Sequence, residues 1–199
     1  MASSLPFSQA CENNKQPILD ELKPRLKQAL RLLEIGSGTG QHGAFFAANL
    51  PALEWQMSDL AANLPHLRLR QNQTERANLP TVVELDVTRS RGECRYDAIF
   101  SANTLHIMPG SAVPDFFLCA SSHLHANGTL FIYGPFRYQG EYTSESNREF
   151  DQFLQSRDPL SGLREMDELT NLADNAGLSL MEDLPMPANN RMLVFKKSI

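Results

Sequence analysis

One glycine-rich segment of the sequence is suited to holding a small ligand. Gly36, Gly38 and Gly40 directly follow the apolar run 31–35 and precede the Ala- and Phe-rich segment 44–49, a pattern typical of a strand, a tight loop and a helix. Glycines suit such a loop because they adopt positive φ angles without steric cost and let a ligand approach the backbone. The segment therefore predicts a ligand above the end of the first strand, and a glycine-rich turn without a ligand is the alternative.

Two ligands are compatible with this loop. Gly38, Gly40 and Gly43 satisfy the G-x-G-x-x-G pattern of dinucleotide-binding loops, in which the first glycine closes the strand. Here the strand closes at Gly36, and a frame that starts there puts Gln41 at the third glycine position. A dinucleotide such as NAD therefore requires a shifted register.

The second frame requires no shift. It runs Glu34-Ile35-Gly36-Ser37-Gly38-Thr39-Gly40, with an acid two residues before G-x-G-x-G. This segment resembles the first motif of class I S-adenosylmethionine-dependent methyltransferases, and the resemblance implies that S-adenosylmethionine is the cofactor. The cofactor contacts expected here are those of Glu34, Gly36, Ser37, Gly38 and Gly40.

Two acids at predicted strand ends support a nucleoside ligand. Asp59 follows Gly40 by 19 residues, where a carboxylate can accept hydrogen bonds from both ribose hydroxyls. Asp86 ends the third predicted strand, where it can accept a hydrogen bond from an adenine amino group while Val87 packs on the ring. The second acid is characteristic of methyltransferases rather than dehydrogenases. The alternative for both acids is a surface carboxylate that caps a helix.

The next two strand ends carry the candidates for catalysis. The fourth predicted strand leads into Asn103, expected beside the methyl group of the cofactor, and His106 follows three residues later. His106 is the candidate base because the pKa of imidazole suits proton transfer near neutral pH. Tyr133 closes the fifth predicted strand at the same edge. A histidine that fills a loop and a half-buried tyrosine are the alternatives.

Further polar residues are expected to contact the methyl acceptor. Asn147 and Asp151 are four residues apart, so they share one face of a predicted helix. The alternative is that this face is simply exposed to solvent. Asn189 and Asn190 lie in a short link between the last two strands, where they bind an acceptor or form a turn. The remaining candidates, Glu12 and Asn14, lie in the leading segment.

The order of predicted elements specifies an α/β fold. Five strand–helix units precede two strands whose link, 185–191, is too short for a parallel crossover. The prediction is therefore a doubly wound, seven-stranded, mostly parallel sheet of order 3-2-1-4-5-7-6 whose last strand is antiparallel. The predicted strands cover residues 31–35, 53–58, 81–87, 96–101, 129–133, 178–184 and 192–196.

The chain is expected to divide into a leading segment and one Rossmann-like domain. Residues 1–30 are predicted as a helical segment or lid, with a helix over 17–30 that begins near Pro17 and kinks at Pro24. A lid would exclude water from the reaction, whereas a frayed tail is the alternative. Residues 31–199 form the predicted methyltransferase domain.

Composition narrows the function classes. The 199 residues include 18 Lys and Arg against 23 Asp and Glu, a net charge of -5 that disfavours a nucleic-acid partner. The three cysteines have no zinc-type spacing, so no metal is expected. No apolar run of 18 residues or leader-like start occurs, so we expect a cytoplasmic protein without a membrane partner. The sequence contains no indication of the oligomeric state.

A set of short motifs spread over almost the whole chain resembles the methyltransferase-like protein 26 family. The residues of these motifs are Glu12, Asn14, Pro17-Ile18-Leu19, Ser37-Gly38-Thr39-Gly40-Gln41-His42, Trp55-Gln56, Ser58-Asp59, Asp86-Val87, Asn103, His106-Ile107, Tyr133-Gly134-Pro135-Phe136, Ser146-Asn147, Phe150-Asp151 and Asn190. The resemblance implies a class I methyltransferase fold and an S-adenosylmethionine donor, without a substrate.

The sequence also departs from that family. Asn13 stands where an arginine is usual, Met57 replaces a proline, and Ser161 takes a position where tryptophan is common. The leading hypothesis is an S-adenosylmethionine-dependent methyltransferase that acts on a small molecule. A donor-binding sensor or partner protein without turnover and an NAD-dependent oxidoreductase are the alternatives.

Overall fold

The computed structural model of the protein describes residues 5–90, 92 and 94–198. The helices in this part of the chain are α1 (Gln9–Arg25), α2 (Gln41–Asn49), α3 (Leu64–Thr74), α4 (Val113–His123), α5 (Glu145–Arg157) and α6 (Met166–Asn175). The strands are β1 (Arg31–Ile35), β2 (Glu54–Asp59), β3 (Val83–Glu84), β4 (Tyr96–Ala102), β5 (Leu124–Gly134), β6 (Phe136–Tyr138), β7 (Glu141–Tyr142), β8 (Arg164–Glu165), β9 (Leu178–Met186) and β10 (Asn190–Lys197).

Seven of the strands form the predicted sheet. Their order is β3-β2-β1-β4-β5-β10-β9, in which β1 pairs in parallel with β2 and β4 while β10 pairs antiparallel with both β5 and β9. The last strand of the chain therefore lies between the fifth and sixth strands of the large sheet. The predicted α/β class and the reversed last strand are confirmed.

The chain divides into two compact units. The first comprises residues 1–86 and 96–100, and the second comprises residues 87–95 and 101–199. The predicted division between residues 30 and 31 stays a prediction. Of the helices in the described ranges, none combines the length and the apolar character that crossing a bilayer requires.

An aromatic cluster forms the core of the first unit. Trp55 of β2 lies 4.9 Å from Phe46 of α2 and 5.6 Å from Phe100 of β4, measured between ring centroids. All three side chains are fully buried, so the cluster joins the sheet to α2 by removing large apolar surfaces from water.

The second unit contains a long hairpin and a small extra sheet. In the hairpin, β10 pairs along its length with β5 on one side and β9 on the other. The extra sheet has three strands in the order β7-β6-β8. The sequence did not predict it, because strands of two or three residues are too short to show a hydrophobic period.

The first helix lies further toward the N-terminus than predicted. We expected a helix over 17–30, but α1 spans Gln9–Arg25 and contains both Pro17 and Pro24. Its start is set by Ser8, whose side-chain oxygen accepts a hydrogen bond from the backbone N–H of Cys11. The prolines each remove one helical donor, and burial of the apolar face of α1 offsets this loss.

Candidate functional site

The glycine loop begins where the methyltransferase-type frame predicts. Strand β1 ends at Ile35, and the φ angles of Gly36, Gly38 and Gly40 are 76°, 54° and 71°. The backbone N–H groups of Gly36 and Ser37 both donate to the carbonyl of Ser58, at 3.1 and 2.9 Å. These bonds tie the start of the loop to the end of β2. The left-handed conformations explain why glycine is required here.

Gly38 and Gly40 have different surroundings. Among the residues that the structure describes, no heavy atom lies within 4 Å of a Cβ atom built on Gly38, whereas one built on Gly40 lies 3.0 Å from both Arg70 Cδ and Leu67 Cδ2. The loop therefore packs against α3 at Gly40 and is open at Gly38. The open position is where a ligand can approach the backbone.

Gly43 serves the packing of α2 on the sheet. A Cβ atom at this position would lie 2.5 Å from Met57 Sδ and 3.0 Å from Glu34 Oε2. Both contacts are shorter than van der Waals distance, so α2 approaches β1 and β2 as closely as it does because position 43 has no side chain. Gly43 thus performs the packing role that the third glycine has in dinucleotide-binding loops. The end of β1 at Ile35 nevertheless fits the methyltransferase-type frame.

The Gly43→Ala substitution tests this close approach. We expect it to lower the free energy of unfolding by about 1 to 2 kcal/mol, because Met57 must move within a packed core. Urea denaturation of the variant and the wild type measures the difference. The control is Gly140→Ala, since a Cβ at this loop glycine meets no atom within 4 Å and the cost there is that of its positive φ alone. A smaller loss at Gly43 than at Gly140 would contradict the packing role.

The Asp59 carboxylate lies directly against the loop. Its Oδ2 atom accepts a hydrogen bond from the backbone N–H of Gly38 at 2.7 Å, and its Oδ1 atom accepts from the backbone N–H of Leu60 at 2.8 Å and the Asn63 amide at 2.9 Å. A carboxylate offers about four acceptor positions. Three are used here, so one position on Oδ2 is left for a ligand hydroxyl, and a second hydroxyl would have to replace the exposed Asn63 side chain.

The segment that carries Asp86 runs beside Asp59. Glu84 pairs with Asp59 in the sheet, and the backbone N–H of Leu85 donates to the Asp59 carbonyl at 2.9 Å. The strand itself is shorter than the predicted 81–87, because β3 lies at the edge of the sheet and pairs only over Val83–Glu84. Asp86 is half-buried, and its predicted contact with adenine stays a prediction.

Glu34 lies beneath the loop as a buried acid. Its Oε2 atom accepts a hydrogen bond from the Trp55 indole N–H at 2.9 Å, and its side chain is 2% exposed. Burial raises the pKa of Glu34 to about 7, an effect that the charge of Asp59 reinforces and that hydrogen bonds from Trp55 and Ser37 oppose. The carboxyl group therefore links β1, β2 and the loop, and its predicted contact with the cofactor stays a prediction.

The residues of the predicted lid hold α1 to α2. The Gln41 side chain donates to Glu12 Oε1 at 2.7 Å, and a hydrogen bond of 2.7 Å joins His42 Nε2 to Asn14 Oδ1. Thr39 of the loop also donates to the Gln41 oxygen at 3.0 Å. Glu12 and Asn14 thus belong to a network that reaches the glycine loop, and their predicted role in substrate binding stays a prediction.

In the second unit, Asn103, Tyr133 and His106 occupy neighbouring backbone positions. Asn103 has a φ angle of 56°, and its backbone N–H donates to the Tyr133 carbonyl at 2.8 Å. A Cβ built on Gly134, the residue after Tyr133, lies 3.6 Å from His106 Nδ1. Val87, also predicted to contact the cofactor, is buried in this unit. Nothing in these contacts assigns a chemical role, so the four roles stay predictions.

The His106 imidazole is almost fully enclosed. Its side chain is 5% exposed and its ring lies 5.3 Å from the Phe150 ring in an edge-to-face arrangement. Burial and the Arg164 charge lower the pKa of His106 to about 4, while Asp151 opposes that shift. Arg164 also donates to the Leu105 carbonyl at 2.9 Å, which fixes the loop that carries the histidine. The ring is therefore neutral at pH 7.

Asp151 is held by three donors from its own unit. Its Oδ1 atom accepts from the Leu163 backbone at 2.6 Å, and Oδ2 accepts from the Tyr142 hydroxyl at 2.7 Å and the Gln155 amide at 2.9 Å. The side chain is 1% exposed. These contacts join α5 to the segment before α6, so binding of a substrate by Asp151 stays a prediction.

The remaining predicted acceptor contacts lie at one turn. Asn147 donates to Thr143 Oγ1 at 2.8 Å and to the Asn189 carbonyl at 3.0 Å, which connects α5 to the β9–β10 turn. Asn190 donates to the carbonyl of Pro187 at 3.1 Å within the same turn. The structure therefore brings Asn147, Asn189 and Asn190 together, and the contribution of each to substrate binding stays a prediction.

Several residues of the site carried little or no sequence signal. Trp55, Gln41 and His42 occur in the motifs shared with the resembling family, but their partners could not be inferred. Asn63 contacts Asp59 from four residues further along the chain. Arg70 donates to the Thr39 carbonyl at 2.5 Å from 31 residues away, and a contact over that distance depends on the packing of α3.

Two other features fall outside the predicted site. In the described ranges, no group of three or more His, Cys, Asp or Glu side chains is placed to hold a metal ion. An open cavity of about 470 Å³ lies around the end of α3, and none of its lining residues was predicted for the site. They are Gln71, Asn72, Glu75, Arg76, Ala77, Leu79 and Thr81.

Comparison with known proteins supports the fold that the site occupies. A family described as a protein of unknown function (DUF938) matches residues 5–197. A candidate O-methyltransferase from Nostoc punctiforme shares 18% identity over 94% of this chain and 56% of its own, with a TM-score of 0.81. An O-methyltransferase family protein from Burkholderia thailandensis shares 16% identity over 95% of this chain and 57% of its own, with a TM-score of 0.79.

A human enzyme has the same architecture. N-acetylserotonin methyltransferase, solved in complex with S-adenosylmethionine, shares 12% identity over 96% of this chain and 53% of its own, with a TM-score of 0.79. The chain thus spans little more than half the length of these proteins. At such identities the likeness shows the fold, which is that of class I methyltransferases.

Proposed function

We propose that this chain, which belongs to the DUF938 family of proteins of unknown function, is an S-adenosylmethionine-dependent methyltransferase that acts on a small molecule. We also propose that it belongs to the methyltransferase-like protein 26 group that its motifs resemble. The observation that carries the proposal is the Asp59 carboxylate held against Gly38, at the open position of the loop. A nucleoside needs both an acceptor for its hydroxyls and close access to the backbone.

The donor set of the first unit fits S-adenosylmethionine. Asp59 retains an acceptor position on Oδ2 for a ribose hydroxyl, and Asp86 lies on the adjoining segment for the adenine amino group. The open position at Gly38 leaves room that a Cβ atom would fill. When bound, the cofactor supplies a methyl group that is already activated on a sulfonium, so the protein contributes mainly orientation and exclusion of water.

We propose that His106 acts as a weak base or as a neutral hydrogen-bonding group. A histidine whose pKa is about 4 is neutral at pH 7, but it provides little driving force for removing a proton from an alcohol. The acceptor that suits such a group loses its proton readily, as a thiol or an acidic phenol does. Tyr133 remains the second candidate for this role.

Ligand-induced stabilisation tests the proposed function. We expect S-adenosylhomocysteine to stabilise the protein by about 2.7 kcal/mol when its concentration is 100 times its Kd, because a ligand that binds only the folded state raises stability by mass action. Thermal unfolding with and without the ligand measures the effect, and NAD is the control nucleotide. Stabilisation by NAD with none by S-adenosylhomocysteine would instead indicate an oxidoreductase.

A further inference from the structure

Arg70 places a guanidinium against the glycine loop from α3. Its Nε atom donates to the Thr39 carbonyl at 2.5 Å, and its Nη2 atom donates to the Pro6 carbonyl at 2.6 Å. A guanidinium has five N–H donors. Two are used by these carbonyls, so three are left for a ligand beside the loop.

In the part of the chain that the structure describes, no carboxylate forms an ion pair with Arg70, although the charge of Glu12 acts on it from a greater distance. Its contacts there are to main-chain carbonyls. The direct contacts of Glu12 are an ion pair with Lys15 and a hydrogen bond from Gln41. Half-buried charges are normally paired, because removing them from water is costly. The arrangement therefore favours an anionic ligand at Arg70.

The start of α2 adds positive potential at the same loop. No acidic residue lies in the first turn of α2, and Gly40 provides no side-chain cap. The N-terminal end of a helix carries a partial positive charge, which favours a negative group nearby. Arg70 and the start of α2 meet at Thr39 and Gly40, so both favour the same sign of ligand charge.

We propose that Arg70 binds the α-carboxylate of the methyl donor, a role that deepens and rests on the proposed function. The donor then has two recognised ends, with its ribose at Asp59 and its carboxylate at Arg70. A nucleoside that lacks the carboxylate is expected to bind less tightly for this reason alone.

Calorimetric titration of two ligands tests the proposal. S-adenosylhomocysteine is compared with S-adenosyl-3-thiopropylamine, which differs from it only by lacking the carboxylate. We expect Arg70→Met to weaken S-adenosylhomocysteine about 10- to 100-fold, the worth of a hydrogen bond to a charged group. The Kd of the amine is expected to change less than about 2-fold, and Arg70→Lys to lie between Arg70→Met and the wild type for S-adenosylhomocysteine.

The exposed Arg68, on the same helix, provides the matched control, and Arg68→Met is expected to leave both Kd values unchanged. Equal weakening of both ligands by Arg70→Met would overturn the proposal, because Arg70 would then only hold the loop. An unchanged Kd for S-adenosylhomocysteine would also overturn it.

If Arg70→Met does not fold, the same comparison is made with Arg70→Lys, where a loss confined to the carboxylate-bearing ligand supports the proposal. Absence of binding of either ligand to the wild type would overturn the proposed function itself.

Discussion

Replacing Asp59 with alanine is expected to weaken the binding of S-adenosylhomocysteine by about 3 to 5 kcal/mol, or at least about 100-fold in Kd. Two losses combine in this variant. The ribose loses a charged acceptor, and the Gly38 N–H that Asp59 accepts at 2.7 Å loses its partner, so the loop is no longer held in place. Isothermal titration of both proteins measures the difference.

Asp59→Asn separates the two losses. The amide keeps one oxygen for Gly38 but lacks the charge, so we expect binding intermediate between the wild type and Asp59→Ala. Asp20→Asn, at an exposed position of α1, changes the net charge equally and is expected to leave Kd unchanged. Wild-type affinity in Asp59→Ala would remove Asp59 from the donor site.

Local sequence patterns determined the fold in this protein. The short link between the last two strands required an antiparallel pair, and β10 accordingly pairs with β9 in that sense. The closure of β1 at Gly36 likewise distinguished the two loop frames without any tertiary information. Both features depend on a few consecutive residues, whose backbone preferences are strong enough to be predicted from the sequence.

Tertiary contacts determined what the sequence could not predict. Glu12 and Asn14, which lie in the predicted lid, form hydrogen bonds with Gln41 and His42, 29 and 28 residues away. Their partners depend on how α1 packs on α2, which in turn depends on a helix that begins at Gln9 rather than near Pro17. Arg70 was missed for the same reason, since nothing near it in sequence marks its contact with the loop.

The buried acid Glu34 makes the free energy of unfolding depend on pH. Its pKa is about 7 in the folded protein against an ordinary value of 4.5. The folded state therefore binds this proton more tightly than the unfolded chain does. The stabilisation that Glu34 contributes is complete below pH 4.5 and is lost as the pH rises through 7.

Glu34→Gln is accordingly expected to stabilise the protein at high pH. The amide resembles the protonated acid, so the variant should match the wild type near pH 4.5 and exceed it by about 3 kcal/mol above pH 8. Urea denaturation at several pH values measures this difference. His42 and His106, whose pKa values are lowered to about 4, act in the opposite direction below pH 6.5, but both proteins contain them and their contributions cancel.

The single tryptophan of the chain reports the same ionisation directly. Trp55 donates to the Glu34 carboxylate, so its fluorescence in the folded wild type should titrate with a midpoint near pH 7, and this transition should be absent from Glu34→Gln. Asp59→Asn should lower the midpoint, because the Asp59 charge raises the pKa of Glu34. Glu149→Gln, at an exposed position of α5, is the control for loss of a carboxylate. If Glu34→Gln and Glu149→Gln changed stability alike at every pH, Glu34 would be ionised normally and could not be the buried link between β1, β2 and the loop.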